Sequence, residues 1–270
     1  MKNMRWLLVV IALILLAAVI LLFKKYELPL KIKGGGITSL SGLSNQAKEL
    51  EAAGNLSGAK TAYQNLVNEF PNSGEAVVWQ KKIEELNIKL LFSPQLTPNS
   101  VMYEIKPGDT VVKIAREFKT TPELIVKSNN ISADKIFPGK KIKVWTAPFS
   151  ILVDKSQNII IVKSNEEITK AYIVATGANN STPVGTFKIV NKLPNPTWYK
   201  AGAVVPAGSP ENILGSRWLG LDLSGYGIHG TTEPQSLGKQ VTQGCVRMSN
   251  PEVEELYTYI PVGTEVTIVD

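Results

Sequence analysis

The chain has very few of the residues that form cross-links or metal sites. Of its 270 residues, one is a cysteine, Cys245, and one is a histidine, His229. A single cysteine excludes an internal disulfide. One cysteine and one histidine cannot supply the four ligands of a structural zinc site, so we expect no metal and no cofactor. Chemistry that needs a thiol and an imidazole must use this pair; the alternative for a lone cysteine is a buried, inert side chain.

Acidic residues are also scarce relative to basic ones. The chain has 29 Lys and Arg against 23 Asp and Glu, which gives a formal net charge of +6 at pH 7. This excess predicts an acidic partner or surface. Nucleic acid, an anionic membrane and a cell wall all meet that condition, and charge alone does not choose between them.

Long apolar runs are absent except at the amino terminus, where residues 6–23 are apolar throughout. The run reaches the ~18 residues of a membrane-spanning helix. It exceeds the ~7–15-residue core of a cleavable signal peptide. We therefore predict an uncleaved signal-anchor at residues 1–25, with a cleaved signal peptide as the alternative. Basic residues lie on both sides of the run, so its orientation is not decided by charge.

Residues 26–45 include three consecutive glycines and several serines, which are typical of a flexible linker. From residue 46 to residue 92, apolar residues recur at helical spacing, and breaks at residues 54–55 and 71–73 divide the segment into short helices. This segment resembles a single tetratricopeptide-like helical hairpin. Because about three such repeats are needed to bury a core, we interpret one repeat as a spacer or as a docking site for a protein partner.

Residues 100–146 predict a compact βααβ module. A strand at residues 101–105 is followed by a turn. Thr110 and Thr121 are each placed to begin a helix, and a proline follows Thr121 at the first helical position. A last strand covers residues 142–145.

This module resembles a LysM domain. The resemblance is carried by Tyr103, Pro107, Gly108, Asp109, Thr110, Ile114, Ala115, Asn129, Pro138, Gly139 and Ile142. It implies binding of glycan chains that contain N-acetylglucosamine, such as peptidoglycan or chitin, in a groove between two loops. The groove positions that it implies are Gly108, Asp109, Thr110, Asn129, Ile131 and Phe137. The alternative is that these residues only form turns and helix caps.

Residues 148–270 contain short β-branched runs separated by turns rich in Gly, Pro and Asn. The pattern is typical of a mainly-β domain with a sandwich or barrel-like fold. One helix is predicted at residues 251–259. Its N-cap is either Asn250, with a proline at the first helical position, or Ser249, which could form a capping box with Glu252.

Two short segments of this domain hold the candidate reactive residues: 226–231 (Tyr-Gly-Ile-His-Gly-Thr) and 242–248 (Thr-Gln-Gly-Cys-Val-Arg-Met). The thiol of Cys245 becomes a good nucleophile only as a thiolate, and His229 can take its proton and hold the charge as an ion pair. The other imidazole nitrogen needs a partner that fixes the tautomer. The backbone carbonyl of Gly230 would serve.

Two neighbours of the cysteine complete this prediction. Gly244 allows a tight turn in which amide N–H groups face a developing oxyanion. Arg247 lies two residues beyond Cys245 on the same face of a strand. Its cation would favour the thiolate and could hold a substrate carbonyl or carboxylate.

These segments resemble the catalytic domain of L,D-transpeptidases, the YkuD-like family. The resemblance rests on residues 182–187, 226–231, 238, 244–248 and 262–266. It implies that Cys245 attacks the carbonyl of the third residue of a peptidoglycan stem peptide, and that D-alanine leaves with a proton from His229. An amine of a neighbouring stem then takes the acyl group from the thioester, which gives a 3→3 cross-link.

The sequence departs from the family pattern at two positions. The family has Ser, and then usually His or Arg, before the Gly-Cys pair, whereas this chain has Thr242 and Gln243. Thr242 keeps a hydroxyl group. Gln243 has neither a ring nor a charge, which puts the contribution of that side chain to substrate binding or to the thiolate in doubt.

The sequence thus predicts a multidomain chain: a membrane helix, a helical hairpin, a LysM module and a mainly-β L,D-transpeptidase domain outside the cytoplasm. The expected partners are peptidoglycan and, through the amino-terminal helix, a membrane; no nucleic acid is expected. The alternatives are an L,D-carboxypeptidase that uses water as acceptor, and a wall-binding protein without turnover. A sortase-like enzyme is disfavoured by the spacing of its His, Cys and Arg. Residues 196–199 and 206–214 either line a substrate cleft or form ordinary surface loops.

Overall fold

The computed structural model describes residues 39–200 and 202–270. The predicted signal-anchor at residues 1–25, and the predicted linker up to residue 38, lie outside the described residues. Within the described part of the chain, no helix combines the length and the apolar composition that crossing a membrane requires.

Three helices open the described chain: α1 (Leu40–Ala52), α2 (Leu56–Glu69) and α3 (Ala76–Leu91). The predicted breaks between them are confirmed. Helix α1, however, begins within the segment predicted as linker rather than at residue 46. The reason is that Ser39 caps the helix by accepting a hydrogen bond from the Gly42 amide at 3.2 Å. Leu40 and Leu43 then extend the apolar face that packs against the core of these helices.

Helix α3 packs along strand β5 (Glu167–Ile173), which is an edge of the main sheet. The side chain of Asn87 donates to the carbonyls of Ile168 and Thr169 at 3.0 and 3.2 Å. The carboxylate of Glu84 accepts from the Ala171 amide at 3.3 Å. Polar side chains of a helix therefore satisfy the backbone groups that an edge strand would otherwise leave open.

The βααβ module follows, and its prediction is confirmed. It consists of β1 (Ser100–Glu104), α4 (Val111–Glu117), α5 (Pro122–Asn129) and β2 (Lys141–Trp145), and β1 and β2 pair antiparallel. Thr110 and Thr121 cap the two helices, as their positions predict. The module has its own apolar core, which includes Ile114 and Val144.

The module is also packed against its neighbours. Lys143 on β2 is buried, and its ammonium group donates to the carbonyls of Leu90 and Ser93 at 2.6 and 2.9 Å. Burial lowers the pKa of Lys143 to about 8. Leu124 on α5 belongs to the core of the β-rich domain, and the hydroxyl of Thr121 donates to the Thr258 carbonyl.

In the described part of the β-rich domain there are twelve strands and one α-helix. The strands are β3 (Phe149–Asp154), β4 (Ile159–Ser164), β5, β6 (Thr176–Gly177), β7 (Gly185–Pro194), β8 (Trp198–Lys200), β9 (Ala203–Val205), β10 (Arg217–Leu221), β11 (Gly227–His229), β12 (Gln240–Thr242), β13 (Val246–Arg247) and β14 (Glu265–Val269). Eight of them form one sheet in the order β13-β11-β10-β7-β14-β3-β4-β5. The mainly-β prediction is confirmed, although these strands belong to a single mixed sheet rather than to the two facing sheets of a sandwich.

Strand β7 links the two halves of this sheet. Its first half pairs with β14, from Gly185 opposite Ile268 to Lys188 opposite Glu265. Its second half pairs with β10, where Leu193 lies opposite Trp218. One long strand therefore carries the pairing from the β3–β5 half to the half that ends at β11 and β13.

Helix α6 (Asn250–Tyr259) packs on the sheet through Val253, Leu256 and Tyr259. Ser249 is its N-cap, and its hydroxyl accepts from the Glu252 amide and donates to the Glu252 carboxylate at 2.6 Å. Of the two caps that the sequence allowed, the serine is the correct one. Asn250 is left free for the contacts described below.

Candidate active site

The two reactive segments meet at one edge of the main sheet. Strand β11 lies parallel to β13, with Ile228 opposite Val246 and His229 opposite Arg247. The amide of Met248 donates to the His229 carbonyl at 2.8 Å, which continues the ladder. Because side chains alternate along a strand, His229, Arg247 and the preceding Cys245 project to one face. The sheet thus brings together the residues that the sequence selected.

All three side chains line a cleft of about 770 Å³. Its walls also include the two predicted loops, with Pro196, Thr197, Trp198 and Tyr199 from the first and Ile213 and Leu214 from the second. Of the two interpretations of these loops, the cleft-lining one is confirmed. Strands β8 and β9 form a hairpin within this region, so aromatic side chains are held at the mouth of the cleft.

His229 is buried and held in one orientation. Its Nδ1 lies 2.6 Å from the carbonyl oxygen of Gly230, the contact that the sequence predicted. A carbonyl can only accept, so Nδ1 carries the hydrogen and Nε2 is left as the basic nitrogen. The indole of Trp218 stacks on the imidazole with ring centroids 5.9 Å apart.

Burial, with a smaller contribution from the positive charge of Arg247, lowers the pKa of His229 to about 4, against the raising effect of the hydrogen bond to the Gly230 carbonyl. Burial also raises the pKa of the Cys245 thiol, against the lowering effects of the Gly227 backbone and Arg247. At neutral pH these directions favour a neutral thiol beside a neutral imidazole. Burial therefore opposes the ion pair suggested by the sequence, which stays a prediction.

The loop before the cysteine is closed by a hydroxyl group. Thr242 Oγ1 donates to the Cys245 carbonyl at 2.6 Å and accepts from the Gly244 amide at 3.2 Å. Gly244 has φ +129°, and a Cβ there would lie 2.7 Å from the Tyr226 ring, so only glycine fits. The hydroxyl that Thr242 keeps is thus used in the turn, whereas the side chain of Gln243 is exposed on the cleft wall.

The amides of this turn differ in their hydrogen-bond partners. The sequence predicted only that amide groups of the turn would face an oxyanion, and the Gly244 amide is bound to Thr242 Oγ1. The Cys245 amide, by contrast, has no hydrogen-bond acceptor among the residues that the structure describes. The amide available to a developing negative charge is therefore that of the cysteine itself.

Arg247 is buried, with only 7% of its side chain exposed. Its Nη1 donates to the Glu233 carboxylate at 2.8 Å and to the Ser236 hydroxyl at 3.1 Å. The cation predicted beside the cysteine is present, but an ion pair to a residue that the sequence did not single out already engages it. Glu233 lines the same cleft.

Asn250 is a second residue that sequence reasoning missed. Its Oδ1 accepts from the Ser216 amide at 3.1 Å and from the Thr231 amide at 3.0 Å. Gly230 lies close to Asn250 and Ser216. A Cβ on Gly230 would come within 3.0 Å of the Ser216 nitrogen, so the space beside this glycine is filled. Asn250 therefore fixes the loop whose carbonyl orients His229.

Most of the residues that the LysM resemblance places in the glycan groove make contacts within the βααβ module or form its turns. Asp109 accepts from the Tyr103 hydroxyl and the Lys106 amide, both at 2.8 Å, and Thr110 caps helix α4. Gly108 adopts φ +82° in the turn before Asp109, a conformation that favours glycine.

Of the other three groove positions, two make contacts within the module and one is exposed to solvent. The Asn129 side chain bonds to the backbone N–H and C=O of Lys143 at 2.7 and 2.8 Å, and Ile131 packs on the module core. These two residues make contacts within the module, and the glycan contact that the resemblance implies for them stays a prediction. Phe137, in contrast, is 65% exposed.

Comparisons with known proteins match the βααβ module and the β-rich domain. The family model of the L,D-transpeptidase catalytic domain (YkuD) matches residues 148–268, and that of the LysM domain matches residues 103–145. A Bacillus licheniformis protein named L,D-transpeptidase YkuD is 35% identical over 176 residues, which cover 62% of this chain and 98% of the relative. Its Bacillus subtilis namesake is 34% identical over 62% of this chain and 97% of the relative. The B. subtilis protein named L,D-transpeptidase YqjB is 43% identical over 44% of this chain and 70% of the relative.

The pKa of His229 can be measured directly, because it is the single histidine of the chain. We expect its NMR titration midpoint near pH 4 in the folded protein, against about 6.5 in the unfolded chain. Between these values the unfolded chain binds a proton that the folded protein does not. The free energy of unfolding should therefore fall by about 3 kcal/mol as the pH falls through this window.

The variant His229→Gln isolates this effect, since all other titrating groups are common to the two proteins. Urea unfolding at several pH values between 7 and 4 should show a steeper loss of stability in the native sequence than in the variant. Equal pH dependence of the two proteins, or a folded-state midpoint near 6.5, would contradict the burial argument.

Substitution of Asn250 should loosen the His229 loop. Asn250→Ala leaves two backbone amides without an acceptor, so we expect the free energy of unfolding to fall by about 2 kcal/mol. The downfield NMR signal of the His229 Nδ1 proton should weaken at the same time. Asn250→Asp, which keeps an acceptor oxygen, is the matched control and should retain the signal. An unchanged Nδ1 signal in the alanine variant would show that the loop is held by other contacts.

Proposed function

The chain belongs to the L,D-transpeptidase family, and we propose that Cys245 is its nucleophile and His229 its general base and acid. The enzyme acts on peptidoglycan stem peptides, as the family does. The observation that supports these two residue roles best is the fixed imidazole: Nδ1 is bound to the Gly230 carbonyl, and both His229 and Cys245 line one cleft. This leaves Nε2 as the nitrogen that can exchange a proton with the thiol.

In the first half-reaction, the sulfur of Cys245 attacks the carbonyl carbon of the third stem residue while its proton moves to His229. We propose that proton transfer accompanies the attack, because burial opposes the formation of thiolate beforehand. The Cys245 amide is the donor that we assign to the developing oxyanion. His229 then gives its proton to the leaving amine, D-alanine departs, and a thioester remains.

In the second half-reaction, an amine of a neighbouring stem attacks the thioester carbonyl. The carbon–nitrogen bond forms, the carbon–sulfur bond breaks, and His229 passes the proton of the amine to the sulfur. The product is a 3→3 cross-link. Water in place of the amine would release a tripeptide, which is the carboxypeptidase outcome.

The role that we propose for Arg247 differs from the one that the sequence suggested. Its charge is balanced by Glu233 at 2.8 Å, so its effect on the cysteine and histidine is moderated. We propose that it mainly ties strand β13 to the loop that carries Glu233 and Ser236. Gly244 and Thr242 shape the turn that presents the thiol, and Gln243 contributes to the cleft wall.

The LysM domain implies that the chain also binds peptidoglycan glycan strands. We propose that Phe137 and the backbone of the Gly108 turn form the contact surface, because Asn129 and Ile131 are engaged inside the module. An exposed aromatic ring suits the apolar face of a sugar. The substrate is cell wall, so the enzyme works outside the cytoplasm; the apolar run at residues 6–23 is our proposed anchor.

Incubation with a disaccharide-tetrapeptide followed by muropeptide analysis tests the catalytic proposal. The native protein should yield cross-linked dimers and a thioester adduct on Cys245 visible by mass spectrometry. Cys245→Ala should yield neither, and His229→Gln should slow product formation by about 100- to 10,000-fold. Thr242→Ser, which keeps the hydroxyl, is the matched control and should remain active.

The products also separate the alternatives. Tripeptides without dimers would identify a carboxypeptidase. The absence of both products and of any adduct would favour a wall-binding protein without turnover, and would reject the roles proposed for Cys245 and His229.

The glycan surface can be tested by comparing two substitutions in sedimentation with insoluble peptidoglycan. Phe137→Ala should reduce the bound fraction several-fold without lowering the free energy of unfolding, because the ring is exposed. Asn129→Ala should instead lower the free energy of unfolding by about 2 kcal/mol, because the backbone of Lys143 loses its partners. Undiminished binding by the phenylalanine variant would place the glycan elsewhere on the module.

A further inference from the structure

Glu233 occupies a position in the catalytic cleft that the reaction as described does not use. Among the described residues that line the cleft, it is the only acidic side chain, and Arg247 is the only one with a fixed positive charge. The cleft therefore contains one carboxylate and one guanidinium, together with Cys245 and His229. Which of the two charges faces an incoming molecule decides what kind of ligand the cleft prefers.

The two charges are not equally accessible. The side chain of Glu233 is 51% exposed, whereas that of Arg247 is 7% exposed. The guanidinium lies behind the carboxylate, held by Glu233 Oε2 at 2.8 Å and by the Ser236 hydroxyl at 3.1 Å. A molecule that enters the cleft thus meets the negative group of the pair first.

The backbone of Glu233 is held on both sides. Its amide donates to the Thr231 hydroxyl at 2.9 Å, and its carbonyl accepts from the Ser236 amide at 3.1 Å and the Ser236 hydroxyl at 2.6 Å. The loop turns through a short 3₁₀ helix at Pro234–Ser236 immediately afterwards. The carboxylate is therefore presented by a fixed backbone three residues after Gly230, the partner of His229.

One oxygen of the carboxylate remains available. Oε2 accepts from Arg247, and no described residue donates to Oε1. A half-exposed carboxylate with a free oxygen, beside a reacting centre, suits a primary ammonium group, which donates up to three hydrogen bonds. The second half-reaction brings such a group into the cleft.

We propose that Glu233 binds the ammonium group of the acceptor stem and thereby selects an amine over water as the acceptor. This inference rests on the transpeptidase function proposed above and deepens it. Glu233 would hold the nitrogen near the thioester on Cys245. It would raise the local concentration of the amine, while the neutral acceptor water gains nothing from the carboxylate.

The proton balance is consistent with this role. The acceptor arrives as R–NH₃⁺ and loses one proton to solvent while it is bound at Glu233. The neutral nitrogen then attacks the thioester carbonyl and the carbon–sulfur bond breaks. A second proton passes from nitrogen through His229 to the sulfur. The products are the amide, the free thiol of Cys245 and one released proton.

The test measures the two half-reactions separately. Formation of the Cys245 acyl-enzyme is followed by D-alanine release, and the fate of the acyl group is followed as the ratio of cross-linked dimer to tripeptide at increasing acceptor concentration. In Glu233→Gln, Arg247 loses its counter-charge, so the rate of acyl-enzyme formation is measured first and the fate of the acyl group is then read from enzyme that is already acylated. We expect the acceptor KM to rise about tenfold, with product shifted towards tripeptide.

A matched control is available on helix α6. Glu254 is 46% exposed and lies 4.0 Å from Arg217, so Glu254→Gln removes the same charge from a comparable Arg–Glu pair outside the cleft lining. It should leave the dimer-to-tripeptide ratio unchanged. Glu233→Asp, which restores the charge, should recover part of the preference for the amine. The native acceptor KM should rise with salt, and that of Glu233→Gln should not.

Other results would overturn the proposal. An unchanged dimer-to-tripeptide ratio in Glu233→Gln would exclude acceptor recognition. An equal loss in both half-reactions would show that Glu233 only positions Arg247, and a rise in the donor KM alone would place the donor's amine there instead. Failure of the proposed function itself is distinguishable, because the native protein would then form no acyl-enzyme on Cys245.

Discussion

The parallel pairing of β11 with β13 is the constraint on which the site depends. These two strands contribute only five residues to the sheet, yet their register sets His229 opposite Arg247 and places Cys245 one step before the pairing begins. A slip of one residue would turn every side chain of β13 to the other face and separate the thiol from the imidazole. The register is fixed from outside the pair, by the Ala175–Arg247 bridge on one side and by β10 on the other.

Burial shifts the pKa values of the two reactive residues that this register brings together. It removes water from His229 and Cys245 and so disfavours the charged form of each, which is why the pKa of the imidazole falls while that of the thiol rises. A free Arg247 would lower both values further. The pairing of Arg247 with Glu233 offsets its charge, so burial remains the main influence on the protonation of Cys245 and His229. In the proposed mechanism, charge develops during the reaction, where the Cys245 amide and the fixed imidazole would act on it.

The features that sequence reasoning predicted correctly are those that depend on neighbouring residues. The Gly230 carbonyl is adjacent to His229, the caps Thr110 and Thr121 lie within four residues of the amides that they bind, and the βααβ order follows from local turns. The failures depend on distant contacts. Asn250 reaches amides 34 and 19 residues away, and Asn129 reaches Lys143 across the module. Such pairings cannot be predicted from neighbouring residues, because the partners come together only in the folded protein.

Helix α6 contacts the loop of His229, the main sheet and the LysM module. It begins directly after the catalytic strand, and at its first residue Asn250 holds the loop of His229. At its other end, the Thr258 carbonyl accepts from Thr121 of the LysM module, and the Tyr257 carbonyl accepts from Lys192 of the sheet at 2.6 Å. A helix is stiff along its axis, because each turn is hydrogen-bonded to the next. The LysM module and the His229 loop are therefore attached to opposite ends of one rigid element, which fixes the position of the module relative to that loop.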